Sequence, residues 1–338
     1  MTLALACAAA MLGALVVYAL LGGADFGGGV WDLLASGPRR HEQRALVERA
    51  IGPVWEANHV WLIIVVVILF TAFPPAFAAA GTALHVPLTL MLLGVVLRGT
   101  SFTFRHYDSD GAHAGWGRVF AIASAVTPVL LGVVLGAVTS GRLRFAGDLP
   151  VDGFVRPWLE PFPWFVGLFT LALFAMLAAV YLTVEARDPL LVEDFRRRAL
   201  AAAVAVGLSA LAAALAAGAL PSGFGARLLG SWWSLPLQLA TGASAVTVFA
   251  ALALRRFQLA RFAAAAQVTL IVCGWGLAQL PYVIAPDFTV EGAAAPATTL
   301  RLLLLTLGAG ALVLVPSLLY LMRVFKSRGD GAPLDDEY

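Results

Sequence analysis

The sequence predicts an all-α polytopic membrane protein with about nine transmembrane helices, and three observations predict it. Of 338 residues, 61% are apolar and only 12% charged, against about 45–50% and about 25% in an ordinary soluble domain. The mean hydropathy is +0.88. The apolar residues fall in blocks of about 20, long enough to cross a bilayer as a helix, separated by short arginine-bearing stretches. A water-soluble globule is excluded. The formal net charge of +2 is spread between hydrophobic blocks instead of along one face, which excludes a nucleic-acid binder.

The blocks place spans at Leu3–Gly22, Val54–Phe73, Leu84–Phe102, Arg118–Leu135, Trp164–Val184, Leu200–Leu220, Leu235–Leu254, Ala263–Ile284 and Leu300–Met322. The first could be mistaken for a signal peptide. It lacks a basic start and runs into a glycine-rich stretch, so it reads as a span. Pro74-Pro75 predicts a tight turn that makes spans two and three an antiparallel hairpin, because proline has no backbone N–H and cannot continue a helix. Trp158 precedes and Trp164 opens the fifth span, and Trp232 and Trp233 precede the seventh, where amphipathic rings sit at headgroup level. The end of the chain, with Asp330, Asp335, Asp336 and Glu337, reads as a solvated acidic tail over residues 329–338.

Loop charge tests the count independently. One alternate set of loops carries Arg39, Arg40, Arg44 and Arg49; Arg98, Arg105 and Arg118; Arg187, Arg196, Arg197 and Arg198; Arg255, Arg256 and Arg261; and Arg323, Lys326 and Arg328. The other set holds only Arg142, Arg144, Arg156, Arg227 and Arg301. A miscount by one span would mix the two. Since basic loops stay cytoplasmic, the N-terminus is expected outside and the C-terminus inside.

Ionisable groups at span depth are costly and therefore point to function. Asp25 lies in Gly22-Gly23-Ala24-Asp25-Phe26-Gly27-Gly28-Gly29, a run that permits close helix approach or an unwound helix end. The alternative is a packing motif with a capping Asp. Glu56 and His59 in Trp55-Glu56-Ala57-Asn58-His59 are i, i+3 and share one helical face. A carboxylate beside an imidazole can pass protons near neutral pH; alternatively the Glu complements the helix dipole and the His is a hydrogen-bonded core residue. Helix direction puts Asp25, Glu56, Asn58, His59 and Arg98 at one depth, where Arg98 is either a counter-ion for an acid or a snorkelling interfacial residue. His85 reads as a satisfied polar residue. Cys7 and Cys273 lie inside apolar blocks with no second Cys or His at metal spacing, so neither a disulfide nor a covalent haem is signalled.

The run Gly23-Ala24-Asp25-Phe26-Gly27-Gly28-Gly29-Val30, then Pro53-Val54-Trp55-Glu56-Ala57-Asn58-His59-Val60-Trp61-Leu62 and Ala72-Phe73-Pro74-Pro75, resembles subunit II of the cytochrome bd-type quinol oxidases. The W-[DE]-x-N-x-V-W-L pattern is its most specific element. The resemblance implies one integral membrane domain over residues 1–328, with two four-helix bundles (about 1–138 and 160–328) and one extra helix. It implies a partner, subunit I, that binds haems b and d and oxidises quinol, and no haem ligand from this chain. It carries a cytoplasmic proton route onto Glu56 with Asp25, where some relatives have Asp in place of Glu56 and Gln in place of His59. A small single-span subunit and a structural quinone in this chain are features it allows and the sequence leaves open.

A competing reading is a proton-coupled secondary transporter, with the glycine-rich first helix broken around a substrate site. Against it, no matching broken helix is visible in the second half, and the polar candidates lie toward one side. A purely structural assembly subunit would leave Asp25 and Glu56 without a purpose.

Overall fold

The computed structural model describes the chain except residues 52–54, 108–113, 148 and 329–338, and describes no side chains for residues 55–57, 105–107, 114, 319 and 321–328. The expected acidic tail thus lies outside the described residues. The helices are α1 (Leu3–Leu33), α2 (Arg40–Ile51), α3 (Trp55–Ala72), α4 (Pro74–Ala83), α5 (His85–Tyr107), α6 (Ala114–Ser140), α7 (Arg156–Leu159), α8 (Pro161–Glu185), α9 (Pro189–Ala217), α10 (Phe224–Gly230), α11 (Ser234–Ala253), α12 (Phe257–Gln279) and α13 (Ala297–Arg328). Two antiparallel hairpins, β1 (Phe145–Ala146) with β2 (Leu149–Pro150) and β3 (Tyr282–Ile284) with β4 (Phe288–Thr289), complete the chain. Among the described residues, eight single helices have the length and hydropathy to cross a bilayer, and a bent pair raises the count to nine.

That bent pair corrects the expected hairpin. Pro74 and Pro75 do not make a tight turn; they occupy the first positions of α4, where a missing N–H costs nothing and a fixed φ suits the helix. The alanine-rich α4 leaves α3 at 116°. It spreads apart the helices it joins, so α3 packs on α1 while α5 packs on α6.

The glycine run does not break α1. Thr2 caps its start by accepting from the Leu5 N–H at 3.1 Å, and the helix continues for 31 residues, about 46 Å at 1.5 Å per residue, well beyond a hydrocarbon core of roughly 30 Å. This removes the premise of the transporter reading. The run is helical because neighbours press against it: a Cβ on Gly27 would lie 2.0 Å from the Phe174 carbonyl oxygen of α8.

At the centre sits α8, where every residue from Leu173 to Val180 is buried. A helix apolar all round and covered all round is core; α8 packs against α1, α6, α9 and α12. The outer helices leave leucines uncovered, such as Leu305 and Leu312 of α13, as helices facing lipid or another membrane subunit do.

Side-chain contacts show which helix ends lie together. Arg198 of α9 reaches the Leu34 carbonyl just after α1 at 3.3 Å, and Arg255 just after α11 pairs with Glu193 of α9 at 3.2 Å. These gather the arginine-rich loops at one end. At the opposite end Thr2 donates to Glu291 at 2.6 Å, and Asp287 beside β4 accepts from the Phe145 N–H at 2.8 Å and pairs with Arg144 at 3.2 Å.

Candidate functional site

The site grows out of the glycine run near the arginine-rich end of α1. Gly29 lets α6 approach, since a Cβ there would fall 2.2 Å from both Cβ and Oγ of Ser124. This closeness brings Asp25 of α1, Arg98 of α5 and Ser124 of α6 to one point. Arg98 is buried and pairs with the Asp25 carboxylate through Nη2. The same Nη2 reaches the Asp25 carbonyl at 3.4 Å, and Nε donates to Ser124 Oγ at 3.0 Å. Ser124 Oγ in turn donates to the Phe120 carbonyl at 2.7 Å. The guanidinium carbon stands 4.7 Å from the Phe26 ring centroid and 5.1 Å from that of Phe120, so two aromatic faces box the cation.

Arg98 is therefore a counter-ion of Asp25 and not an interfacial residue that snorkels. A desolvated charge pair is retained only with good geometry and further hydrogen bonds. Here Ser124 and the Asp25 carbonyl accept hydrogen bonds from the guanidinium, and the two ring faces add cation–π contacts.

Beside this pair, α3 contributes Asn58 and His59. Asn58 is buried, and neither Oδ1 nor Nδ2 has a hydrogen-bond partner among the described residues. The same holds for Asp25 Oδ2, His59 Nδ1 and Trp61 Nε1. The His59 ring meets Phe26 edge-on, with centroids 6.2 Å apart, so His59 and Arg98 touch the same phenyl ring. Leaving such a group without a partner costs about 1–3 kcal/mol. Asp25 Oδ2 and His59 Nδ1, unpartnered among the described residues and with the His59 ring against Phe26, make a polar locus able to hold water or a proton in an otherwise apolar bundle.

Of the residues expected from the sequence, Asp25 and Arg98 touch, and Asn58 and His59 lie on the adjoining helix. Glu56 is on the first turn of α3, but its side chain lies outside the described residues. His85 is remote from the site: it is exposed, 2.9 Å from the Thr82 carbonyl and against Phe154. The sequence missed Ser124, Phe26 and Phe120. A lone serine and two phenylalanines in apolar spans carry no signal of their own, although Gly29 announced that some helix came close.

The family model for cytochrome bd terminal oxidase subunit II matches residues 3–325. The chain belongs to this family. Bd oxidase subunit II relatives include the putative cytochrome bd menaquinol oxidase subunit II of Bacillus subtilis (strain 168), 25% identical over 93% of this chain and 92% of the relative. Subunit 2 of the cytochrome bd-I ubiquinol oxidase of Escherichia coli (strain K12) is 27% identical over 50% of this chain and 45% of its own. The fold is also that of a chain in the structure of the bd oxidase from Geobacillus thermodenitrificans, with TM-score 0.81, 23% identity and coverage of 96% and 99% of the two chains. As a subunit II, the protein is one component of an oxidoreductase complex whose other main component is a subunit I. Its bundle is all-α and polytopic, as a bd oxidase subunit requires.

Proposed function

We propose that this subunit II supports a haem-bearing subunit I and carries protons toward it for the reduction of oxygen to water by quinol. The arginine-rich end is the cytoplasmic side, with the N-terminus outside and the C-terminus inside; the distribution of basic loops supports this orientation. Glu56 and His59 form the entrance. Asn58 and the Asp25–Arg98 pair form the next polar station inward. The haems and the oxygen chemistry belong to subunit I, and this chain's residues hold or pass a proton and keep the path at one membrane face. Quinol oxidation outside and proton consumption from inside then build a charge difference without a pump.

One observation carries the reading: a fully buried ion pair has, on the adjoining helix, a buried amide and an imidazole nitrogen without a hydrogen-bond partner among the described residues. Intramembrane ionisable residues of this kind line ion and proton pathways. In proteoliposomes containing the assembled complex, Glu56→Gln is expected to lower quinol-driven oxygen consumption and membrane potential together at unchanged haem content. Unchanged values for both would refute the role.

A further inference from the structure

The strap formed by α2 crosses the arginine-rich end between α1 and α3, and it is fastened at both ends. Arg39, just before α2, donates to both carboxylate oxygens of Asp194 on α9, Nε at 2.9 Å and Nη2 at 2.6 Å. Gln43, only 3% exposed, donates from Nε2 to the same carboxylate at 2.9 Å. Its Oε1 accepts from Arg198 Nη2 at 2.7 Å and from the Ser36 N–H at 3.2 Å. Both atoms of a buried amide are thus used, which gives high geometric definition. The hydrogen bonds between Arg39 and Asp194 lower the Asp194 pKa below the usual carboxylate range and raise that of Arg39, so the pair stays charged at physiological pH. At the far end of α2, Ile51 is buried, and its Cδ1 lies 2.6 Å from where a Cβ on Gly28 would be. Gly28 is one helical turn from Asp25, and α3, with Glu56 and His59, begins soon after Ile51.

We infer that Arg39, Gln43 and Asp194 are positioning residues: they fasten α2 to α9, hold Ile51 against Gly28 of α1 one helical turn from Asp25, and so set the position of Asp25 relative to the proton entrance. The inference rests on the proton-entrance reading above. It ties a helix of the second half of the chain, which takes no part in that route, to the geometry of the route. The bidentate arginine fork and the buried amide are contacts that lysine or leucine cannot reproduce.

The test uses the purified complex with normal haem content. Gln43→Leu and the milder Arg39→Lys are compared with the unaltered protein by amide hydrogen exchange of residues 40–51 and by single-turnover proton uptake. Both variants are expected to speed exchange in that segment and to slow proton uptake, by roughly threefold for Arg39→Lys and more for Gln43→Leu, the loss of about 0.7 kcal/mol or more. The quinol KM stays unchanged. Unchanged exchange would show that the contacts do not hold α2, and faster exchange with uptake unchanged or quicker would show that α2 does not position the entrance; either result overturns the inference. A Glu56→Gln complex measured alongside separates the two claims: if its uptake is also normal, the entrance itself is misassigned.

Discussion

Arg98 and Asp25, 73 residues apart in the chain, form an ion pair in which each side chain is 1% exposed. Neither helix could bury its charge alone. The pair exists because α1 is thinned by glycine on the faces it turns to α6 and α8, which lets three helices converge around one guanidinium. A pair of this kind defines geometry more than it adds stability, but losing half of it leaves a charge stranded in the bundle.

Asp25→Asn or Arg98→Gln alone is therefore expected to destabilise the assembled complex by about 3–5 kcal/mol. The double variant should lose much less than the two singles combined, because no uncompensated charge remains. Thermal unfolding of the purified oxidase, read by loss of the haem spectrum, measures this. Additive losses would show that the two residues act independently.

Gly27→Ala is expected to destabilise the complex by about 1–3 kcal/mol, since the added methyl meets the Phe174 carbonyl oxygen and carbon of α8 at 2.0 and 2.6 Å. Backbone cannot swing aside as a side chain can. Gly13→Ala, with nothing within 4 Å of the new methyl, serves as the control and should assemble normally. Equal yields and melting temperatures for the two variants would contradict the close packing of α1 on α8.

The orientation has its own test. In a background with Cys7 and Cys273 replaced by alanine, Thr2→Cys should react with a membrane-impermeant maleimide on intact cells. Ser327→Cys should react only after the inner membrane is opened. Labelling of both positions from one side would require an even number of crossings.

Much of this architecture is legible in the residues, for reasons particular to membranes. Lipid forces each crossing to be a long apolar helix, so even the polar-dotted α11, with Gly242, Ser244 and Thr247, stands where the block length predicted it. Helix direction alone put Asp25 and Arg98 at one depth. Their contact was not legible, because depth fixes one coordinate and the rotation of α5 about its axis depends on Ser124 and Gly29, which meet only in three dimensions. The bend at α4 was hidden because Pro-Pro serves equally as a turn or as a helix start. The length of α9 was underestimated because Asp188 caps it, accepting from the Leu190 N–H at 2.9 Å, and the charged Arg196, Arg197 and Arg198 that follow hide a helix already under way. Arg39, Gln43 and Asp194 look like ordinary loop polarity until the fold brings Gln43 of α2 to Asp194 and Arg198 of α9.

The most direct test of the account is time-resolved proton uptake from the cytoplasmic side by the assembled oxidase during a single turnover. Glu56→Asp, one methylene shorter and still titratable, is expected to stay close to the unaltered rate. Glu56→Gln is expected to fall by about tenfold or more, the scale of losing a positioned proton-transfer group. Equal uptake rates in all three complexes, at equal haem content, would contradict a proton path through this subunit.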